Sequence, residues 1–185
     1  HLTVEVTDTN GFPPDQRTNT IMSVDQVGYT FTIAIIAGDD FHVYVLGEKY
    51  EYVSETISFD DTIEGNHWFY FDSNGLQTIT NPSPSEIRDV ILKYAYICSI
   101  YWNATAKKVE FDIQDERHGI GMAPQTHMYL HRTQGAQYIS GFGLSDFTIG
   151  TGNSNIHSQF SMAAGEYVDE DISHFGLGKA IGDTT

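Results

Sequence analysis

The chain has 185 residues, of which 9 are basic and 25 acidic, so its formal net charge is −16. Its low share of charged residues (18%) and its many aromatic residues (13%) argue against an intrinsically disordered chain and favour β structure. The acidic balance argues against nucleic-acid binding, because such a surface repels phosphate. The length is typical of one domain or of two small ones.

The only cysteine, Cys98, lies within the apolar run 94–102. A single cysteine cannot form an intrachain disulfide, so we expect a buried core thiol and not a disulfide-built secreted module. The longest apolar runs are strand-sized, which predicts no signal peptide and no membrane partner. Because the chain begins with His1 and not with Met, we expect a fragment, a processed chain or a part of a longer protein.

Residues 1–115 contain short runs of β-branched and aromatic residues that alternate with period two, as strands do. The predicted strands are Leu2–Thr7, Gly28–Ile36, Phe41–Leu46, Tyr50–Phe59, Asn66–Asp72, Leu76–Thr80, Ile91–Trp102 and Lys107–Ile113. Gly47–Lys49 predicts a three-residue hairpin connection. Strands at this spacing favour an all-β fold, an antiparallel β-sandwich of jelly-roll-like arrangement.

One helix start interrupts this series of strands. Ser83 can cap a helix, Pro84 suits its first position, and Glu86 completes a capping box. We therefore predict one or two helical turns before the strand at Ile91–Trp102.

The chain from His118 onward is rich in Gly, Ser and Asn. The predicted short strands are Thr126–His131, Ala136–Ser140, Gly141–Ile149 and His157–Ala163. Pro124 argues against a long helix here, and the glycine density indicates close backbone packing or sharp bends. We therefore predict a β-sandwich domain over residues 1–115 and a Gly-rich oligomerisation and connecting segment, extended β or loop, over residues 116–185.

Three histidines in this part of the chain are candidate metal ligands: His118, His127 and His131. Imidazole is the commonest metal ligand in proteins, and three imidazoles would bind zinc or another divalent transition metal. The spacing lacks the glutamate of a His-Glu-x-x-His helix. Hydrogen bonding of these histidines to the backbone is therefore the favoured interpretation, and no cofactor is predicted beyond this divalent metal.

An acidic run, Glu166–Asp171, offers a second candidate site. Its carboxylates Asp169, Glu170 and Asp171 are of the type that binds Ca²⁺ or Mg²⁺. The flanking ligand pattern of a calcium loop is missing, which favours a solvated face or pairing with a neighbouring chain.

Catalytic patterns are weak. The adjacent carboxylates Asp60 and Asp61, and likewise Asp115 and Glu116, would point to opposite faces of a strand, so neither pair fits glycoside hydrolysis. No Gly-x-Ser-x-Gly elbow is present in the sequence. We therefore predict that the protein is not an enzyme.

Aromatic residues on the predicted strands are candidates for glycan binding, since a ring face suits the apolar side of a sugar. The candidates are Tyr44, Tyr50, Tyr52 and Tyr70. The alternative is that aromatic residues fill the core of the sandwich. Trp68 and Trp102, which lie in apolar runs, are predicted to be core residues.

Several stretches carry a resemblance to a known family. They are Tyr101–Thr105, Asp115–Met122, Thr126–His131, Gly135–Gly141, Gln159–Ser161 and Asp169–Ile172. Together they resemble a family of tailed-bacteriophage virion proteins found in tails, tail fibres and baseplates, over about residues 28–175. The resemblance brings no catalytic residues with it.

The resemblance implies a structural component of a phage tail or tail fibre that contributes to assembly and host attachment. It implies a location in the virion, self-association as a homo-oligomer, with trimers common among fibres, and other tail proteins as partners. The alternative is a glycan-binding module for host surface polysaccharide on the same sandwich. A metal-dependent enzyme at the three histidines is the third hypothesis.

Overall fold

The structure, a computed structural model, describes residues 9–118, 123–147, 159–169 and 172–180. The chain divides into two compact units, residues 1–129 and 130–185, and the division falls within one helix. Antiparallel sheets dominate, which confirms the predicted all-β class. The jelly-roll-like arrangement and a domain boundary at residue 115 stay predictions. No helix in the described ranges is long and apolar enough to cross a membrane.

The first unit is built from ten strands and two short helices among its described residues, and the start of a third helix ends it. The helices are α1 (Pro14–Thr18), α2 (Pro84–Lys93) and α3 (Pro124–Thr133). The strands are β1 (Thr20–Asp25), β2 (Thr30–Ile35), β3 (Phe41–Val45), β4 (Glu48–Tyr52), β5 (Ser54–Ser58), β6 (Gly65–Asp72), β7 (Gly75–Thr80), β8 (Ala95–Asn103), β9 (Lys108–Val109) and β10 (Gln114–Asp115).

These strands form three antiparallel sheets that share one core. Their orders are β1-β2-β5, β10-β8-β6-β7 with β9 also paired to β8, and β3-β4. The inward side chains of different sheets meet directly. Phe31 of β2 stacks on Phe69 of β6 with ring centroids 4.2 Å apart, and Phe41 of β3 meets the edge of Phe71 at 6.1 Å. Cys98 is a buried free thiol in this core, as predicted.

Three predictions in the first unit were wrong in detail, and the first is the strand Lys107–Ile113, which is confirmed only for β9 (Lys108–Val109). The run Tyr50–Phe59 is two strands, because β4 pairs with β3 whereas β5 pairs with β2, and the chain changes sheets at Val53. The hairpin connection has two residues, Leu46 and Gly47, both with positive φ, and not three. The side chain of Asn10 accepts a hydrogen bond from the Leu46 N–H and so holds this turn. The predicted strand Leu2–Thr7 lies outside the described residues.

Helix α2 begins as its sequence predicts. Ser83 caps it by accepting a hydrogen bond from the Glu86 N–H at 3.4 Å, and the Glu86 carboxylate accepts from the Ser83 N–H at 2.7 Å. The Ser83 hydroxyl also donates to this carboxylate at 2.6 Å, and this bond, with that from the Ser83 N–H, holds the pKa of Glu86 below its ordinary value. The helix is longer than the predicted one or two turns, since it runs to Lys93 and includes Ile91, so β8 begins only at Ala95.

Removing this cap gives a first testable prediction. Ser83→Ala is expected to lower the free energy of unfolding by about 1 kcal/mol, because the first turn of α2 loses an acceptor for its N–H groups. Urea denaturation followed by circular dichroism measures the change. Ser85→Ala, which leaves both capping hydrogen bonds in place, is the control and should change the value by less than about 0.5 kcal/mol. Equal values for the two variants would contradict the prediction.

The predicted strand Thr126–His131 was wrong, because these residues belong to helix α3. Pro124 is the first residue of the helix, where its missing N–H would have no intrahelical acceptor anyway. Proline therefore starts this helix and does not prevent it. Residues four apart lie on one face of a helix, so His127 and His131 share one face of α3.

The second unit contains short strands in its described residues: β11 (Ala136–Gly141), β12 (Leu144–Ser145), β13 (Ser161–Met162), β14 (Gly165–Asp169) and β15 (Ile172–Gly176). They form one sheet in the order β11-β14-β15 and a separate β12-β13 pair. The strand predicted over residues 136–140 is confirmed. The longer predictions over 141–149 and 157–163 are confirmed only for β12 and β13, and residues 148–158 lie outside the described residues.

Glycine serves close packing at one point of this sheet. Gly141 has a φ of +79°, and a Cβ built on it would lie 2.1 Å from the Ala164 carbonyl oxygen. Only a residue without a side chain fits this approach of two backbones. The expected close backbone packing is therefore present at Gly141.

Candidate metal centre

Two candidate ligands follow directly after strand β10. The Glu116 N–H donates to the Ile97 carbonyl of β8 at 2.8 Å, which continues the sheet pairing by one residue. The His118 carbonyl accepts from the Phe12 N–H at 2.8 Å. The His118 N–H also donates to the Glu116 carbonyl at 2.8 Å, so the chain turns tightly at Arg117, and the side chains of Glu116 and His118 meet at 3.1 Å. Backbone hydrogen bonds to Ile97 and Phe12 therefore fix the positions of Glu116 and His118.

Helix α3 carries the other two candidates. Its first turn is closed by the N–H groups of Thr126 and His127, which both donate to the Ala123 carbonyl, at 2.8 Å and 3.1 Å. His127 and His131 are one turn apart on this helix, so their side chains lie on one face. The helix thus presents two imidazoles in the same direction.

The structure brings these residues into one group, which we call the histidine–glutamate cluster: Glu116, His118, His127 and His131. One ligand atom from each lies within 4.8 Å of those of the others. The Nε2 atom of His118 is 3.1 Å from Glu116 Oε2 and 3.2 Å from His127 Nε2. The rings of His118 and His127 meet edge to face with centroids 4.5 Å apart, and both residues are buried.

An ion-pair network lies beside the cluster in the sequence. The Arg117 guanidinium donates two hydrogen bonds of 2.9 Å to the Asp115 carboxylate, and it also donates to the Thr20 carbonyl at 2.9 Å. Arg17 donates to the same carboxylate at 3.1 Å. Burial by itself would raise the pKa of Asp115, but the hydrogen bonds and charge of Arg117, with the charge of Arg17, hold it below its ordinary value. This network fixes the chain on both sides of Glu116.

Sequence reasoning found three members of the cluster and missed the fourth. Glu116 was considered only as a catalytic partner of Asp115, and the structure directs these two carboxylates to different partners, His118 and Arg117. The signal that pointed to Glu116 was its position two residues before His118, since a carboxylate so near in the sequence reaches the imidazole across a tight turn. The four-residue spacing of His127 and His131 likewise indicated that their side chains would share one face if the segment were helical.

The four candidate tyrosines do not gather on one surface. Strand pairing sets Tyr50 opposite Val43 and Tyr52 opposite Phe41, so these two rings lie on the core side of their sheet. Tyr44 alternates with these positions and lies on the other side, beside His42. Tyr70 belongs to a different sheet and stacks on Tyr94 at 5.2 Å. The tyrosines therefore form no common sugar-binding platform.

The two tryptophans differ. Trp102 is fully buried in the core, as predicted. Trp68 is only partly buried and stacks on Tyr96 with ring centroids 4.4 Å apart, so its prediction as a core residue was wrong. Its strand β6 directs alternate side chains to opposite faces, and Phe69 and Phe71 occupy the core face.

The acidic run is described only in part. Asp169 ends β14, where it is paired with Ala136 and Ile172. Glu170 and Asp171 lie outside the described residues. The candidate cation site at Asp169, Glu170 and Asp171 therefore stays a prediction.

The histidine–glutamate cluster is the one group of three or more candidate metal ligands among the described residues. The resemblance to phage virion proteins rests on stretches of sequence and stays a prediction. No family model, no curated protein and no solved structure matches the chain.

Proposed function

We propose that this protein is a structural component of a bacteriophage virion, in a tail or tail fibre, that contributes to assembly and host attachment. Its second unit, in this proposal, binds neighbouring copies of the same chain. The sequence stretches that resemble virion proteins support the role in a virion. The exposure of apolar side chains in the second unit supports self-association and is the single observation that carries the proposal.

The described residues of the second unit have no large buried apolar side chain. Its exposed large apolar residues are Tyr138 (68%), Ile139 (50%), Leu144 (49%), Phe147 (62%), Phe160 (47%), Tyr167 (37%), Phe175 (74%) and Leu177 (81%). A small sheet with no covered apolar face gains little stability in water. Contiguous exposed apolar surface is typical of a protein–protein interface.

Another copy of this chain is the partner that the second unit fits. Among the described residues, β11 and β15 are the two edges of their sheet, with β14 between them, and an edge strand offers unpaired backbone groups to a strand of another chain. Only eight of the chain's charged residues fall within residues 130–185, so copies can approach here with less repulsion than their net charge of −16 would otherwise cause. Soluble oligomers are mostly symmetric homo-oligomers.

A matched pair of variants tests self-association. Phe175→Asp places a charge in the second unit and is expected to weaken association by roughly 100-fold, because the carboxylate would have to be buried at the interface. Phe111→Asp changes a similarly exposed phenylalanine of the first unit and should leave association unchanged. Sedimentation velocity over a range of concentrations measures both. Equal association of the two variants would contradict the proposed interface.

The virion assignment needs its own experiment. Mass spectrometry of purified particles of the phage that encodes the chain should detect its peptides at a constant ratio to the other tail proteins. Peptides that are found only in the infected-cell lysate, and that disappear as the particles are purified, would contradict a structural role.

A further inference from the structure

We propose that the histidine–glutamate cluster is a binding site for one divalent transition-metal ion of the zinc class, with a structural role. This inference goes beyond the proposed virion function and does not depend on it. It rests on the ligand types, their distances, their burial and the way the backbone holds them.

The ligand distances match a tetrahedral ion. Zinc lies about 2.0–2.1 Å from its nitrogen and oxygen ligands, so two ligands of a tetrahedral site are about 3.3 Å apart. The two measured distances at His118 Nε2, 3.1 Å to the carboxylate of Glu116 and 3.2 Å to the ring of His127, are close to this value. The four ligand atoms all lie within 4.8 Å of one another. Small side-chain rotations that move these atoms by about an ångström therefore bring every ligand to one ion.

Hydrogen bonds alone do not account well for the two close contacts of His118 Nε2. A ring nitrogen has a single in-plane position, which holds either an N–H or a lone pair, and so makes one well-aligned hydrogen bond. His118 Nε2 faces two partners, Glu116 Oε2 and His127 Nε2, at hydrogen-bond distance. One proton cannot be well aligned with both contacts. A metal ion at the centre uses the lone pairs of all three atoms at once.

The surroundings suit a bound ion. His118 and His127 are buried, with exposed fractions of 5% and 6%, so water competes little for the metal. The carboxylate of Glu116 supplies the negative charge that partly compensates a dication. Since backbone hydrogen bonds hold residues 116–118 and the first turn of α3, the ligands lose little conformational freedom on binding.

The number of ligands indicates a structural site. Catalytic zinc sites commonly use three protein ligands and leave the fourth position to water or substrate, whereas structural sites fill all four with side chains. The cluster offers three imidazoles and one carboxylate, which fill a tetrahedron. A bound ion would tie helix α3 to the segment after β10.

Metal content of the wild-type chain decides the proposal. The chain is produced without a histidine tag, treated with EDTA, dialysed against a small excess of zinc chloride, and analysed by elemental mass spectrometry. We expect one zinc ion per chain, and we expect cobalt chloride to give the strong visible absorption of four-coordinate Co²⁺. Zinc below one-tenth of an equivalent, with no cobalt spectrum, would overturn the proposal.

Conservative variants assign the ligands. His127→Gln and Glu116→Gln are expected to weaken zinc binding by more than about 100-fold, since loss of a direct ligand should exceed the 10- to 100-fold effect of an outer contact. His42→Gln, on β3 and outside the cluster, is the control and should bind like wild type. Circular dichroism confirms that each variant is folded before titration. Stoichiometric binding by folded Glu116→Gln and His127→Gln alike would overturn the assignment to this cluster, and if one variant does not fold, the other and the wild-type metal content decide.

Discussion

Replacing Phe69 by alanine is expected to lower the free energy of unfolding by about 4 kcal/mol, the largest effect of any single substitution that we predict. Phe69 is fully buried, it stacks on Phe31 at 4.2 Å, and its ring meets the edge of Phe59 at 6.3 Å. The variant loses the burial of the ring and also leaves a cavity between two sheets. Because a packed core relaxes only partly around such a cavity, the cost exceeds the transfer free energy alone.

Urea or guanidinium denaturation measures this loss of stability. Phe111→Ala is the matched control, since its ring is 65% exposed and its removal should cost less than about 1 kcal/mol. A change below about 2 kcal/mol for Phe69→Ala, with a normal control, would show that the facing sheets of the first unit do not share a tightly packed core.

The second large effect concerns the buried ion pair. Arg117→Ala is expected to lower the free energy of unfolding by about 3 kcal/mol at neutral pH, because it leaves the largely buried carboxylate of Asp115 without its main partner. Arg17 still reaches that carboxylate and limits the loss. Arg88→Ala, on the exposed surface of α2, is the control and should change stability by less than about 0.5 kcal/mol.

The pH dependence of this effect follows from the pKa of Asp115. In the folded wild type this pKa lies below its ordinary value, so the ion pair contributes its full stability above the unfolded value of about 3.9 and loses it as the pH falls through the folded pKa. In the variant, burial raises the pKa of Asp115, and of the two arginines only Arg17 remains to lower it. The stability difference between wild type and variant should therefore be largest near pH 7 and shrink toward pH 3. A difference that stays constant over this range would contradict a role for the carboxylate charge.

Local signals made parts of this fold predictable. The start of α2 follows from Ser83, Pro84 and Glu86, which act within one turn of chain and need no distant contact. The strands with strict alternation, such as β3 and β6, follow from the requirement that one face be buried. In these elements the residues nearby in sequence determine the structure.

Other elements depend on distant contacts, which a sequence pattern does not reveal. Only Thr20 of strand β1 is buried, and the strand exists because it pairs along its whole length with β2. The sequence does not predict helix α3, because a proline indicates a helix break, whereas Pro124 is the first residue of this helix. The spacings within the sequence indicate two pairs of ligands, Glu116 with His118 and His127 with His131. The contact between the two pairs depends on how α3 packs, which the spacings do not reveal.

We propose that the second unit is stabilised by other copies of the chain, whereas the first unit closes its own sheet-built interior. Light scattering coupled to size-exclusion chromatography, with hydrogen exchange on the same sample, tests it most directly. The account predicts a mass that is a small multiple of the single chain, with β11 and β15 protected from exchange in the assembly and exposed on dilution to the monomer. A monodisperse monomer in which both strands are as strongly protected as β6 and β8 would contradict it.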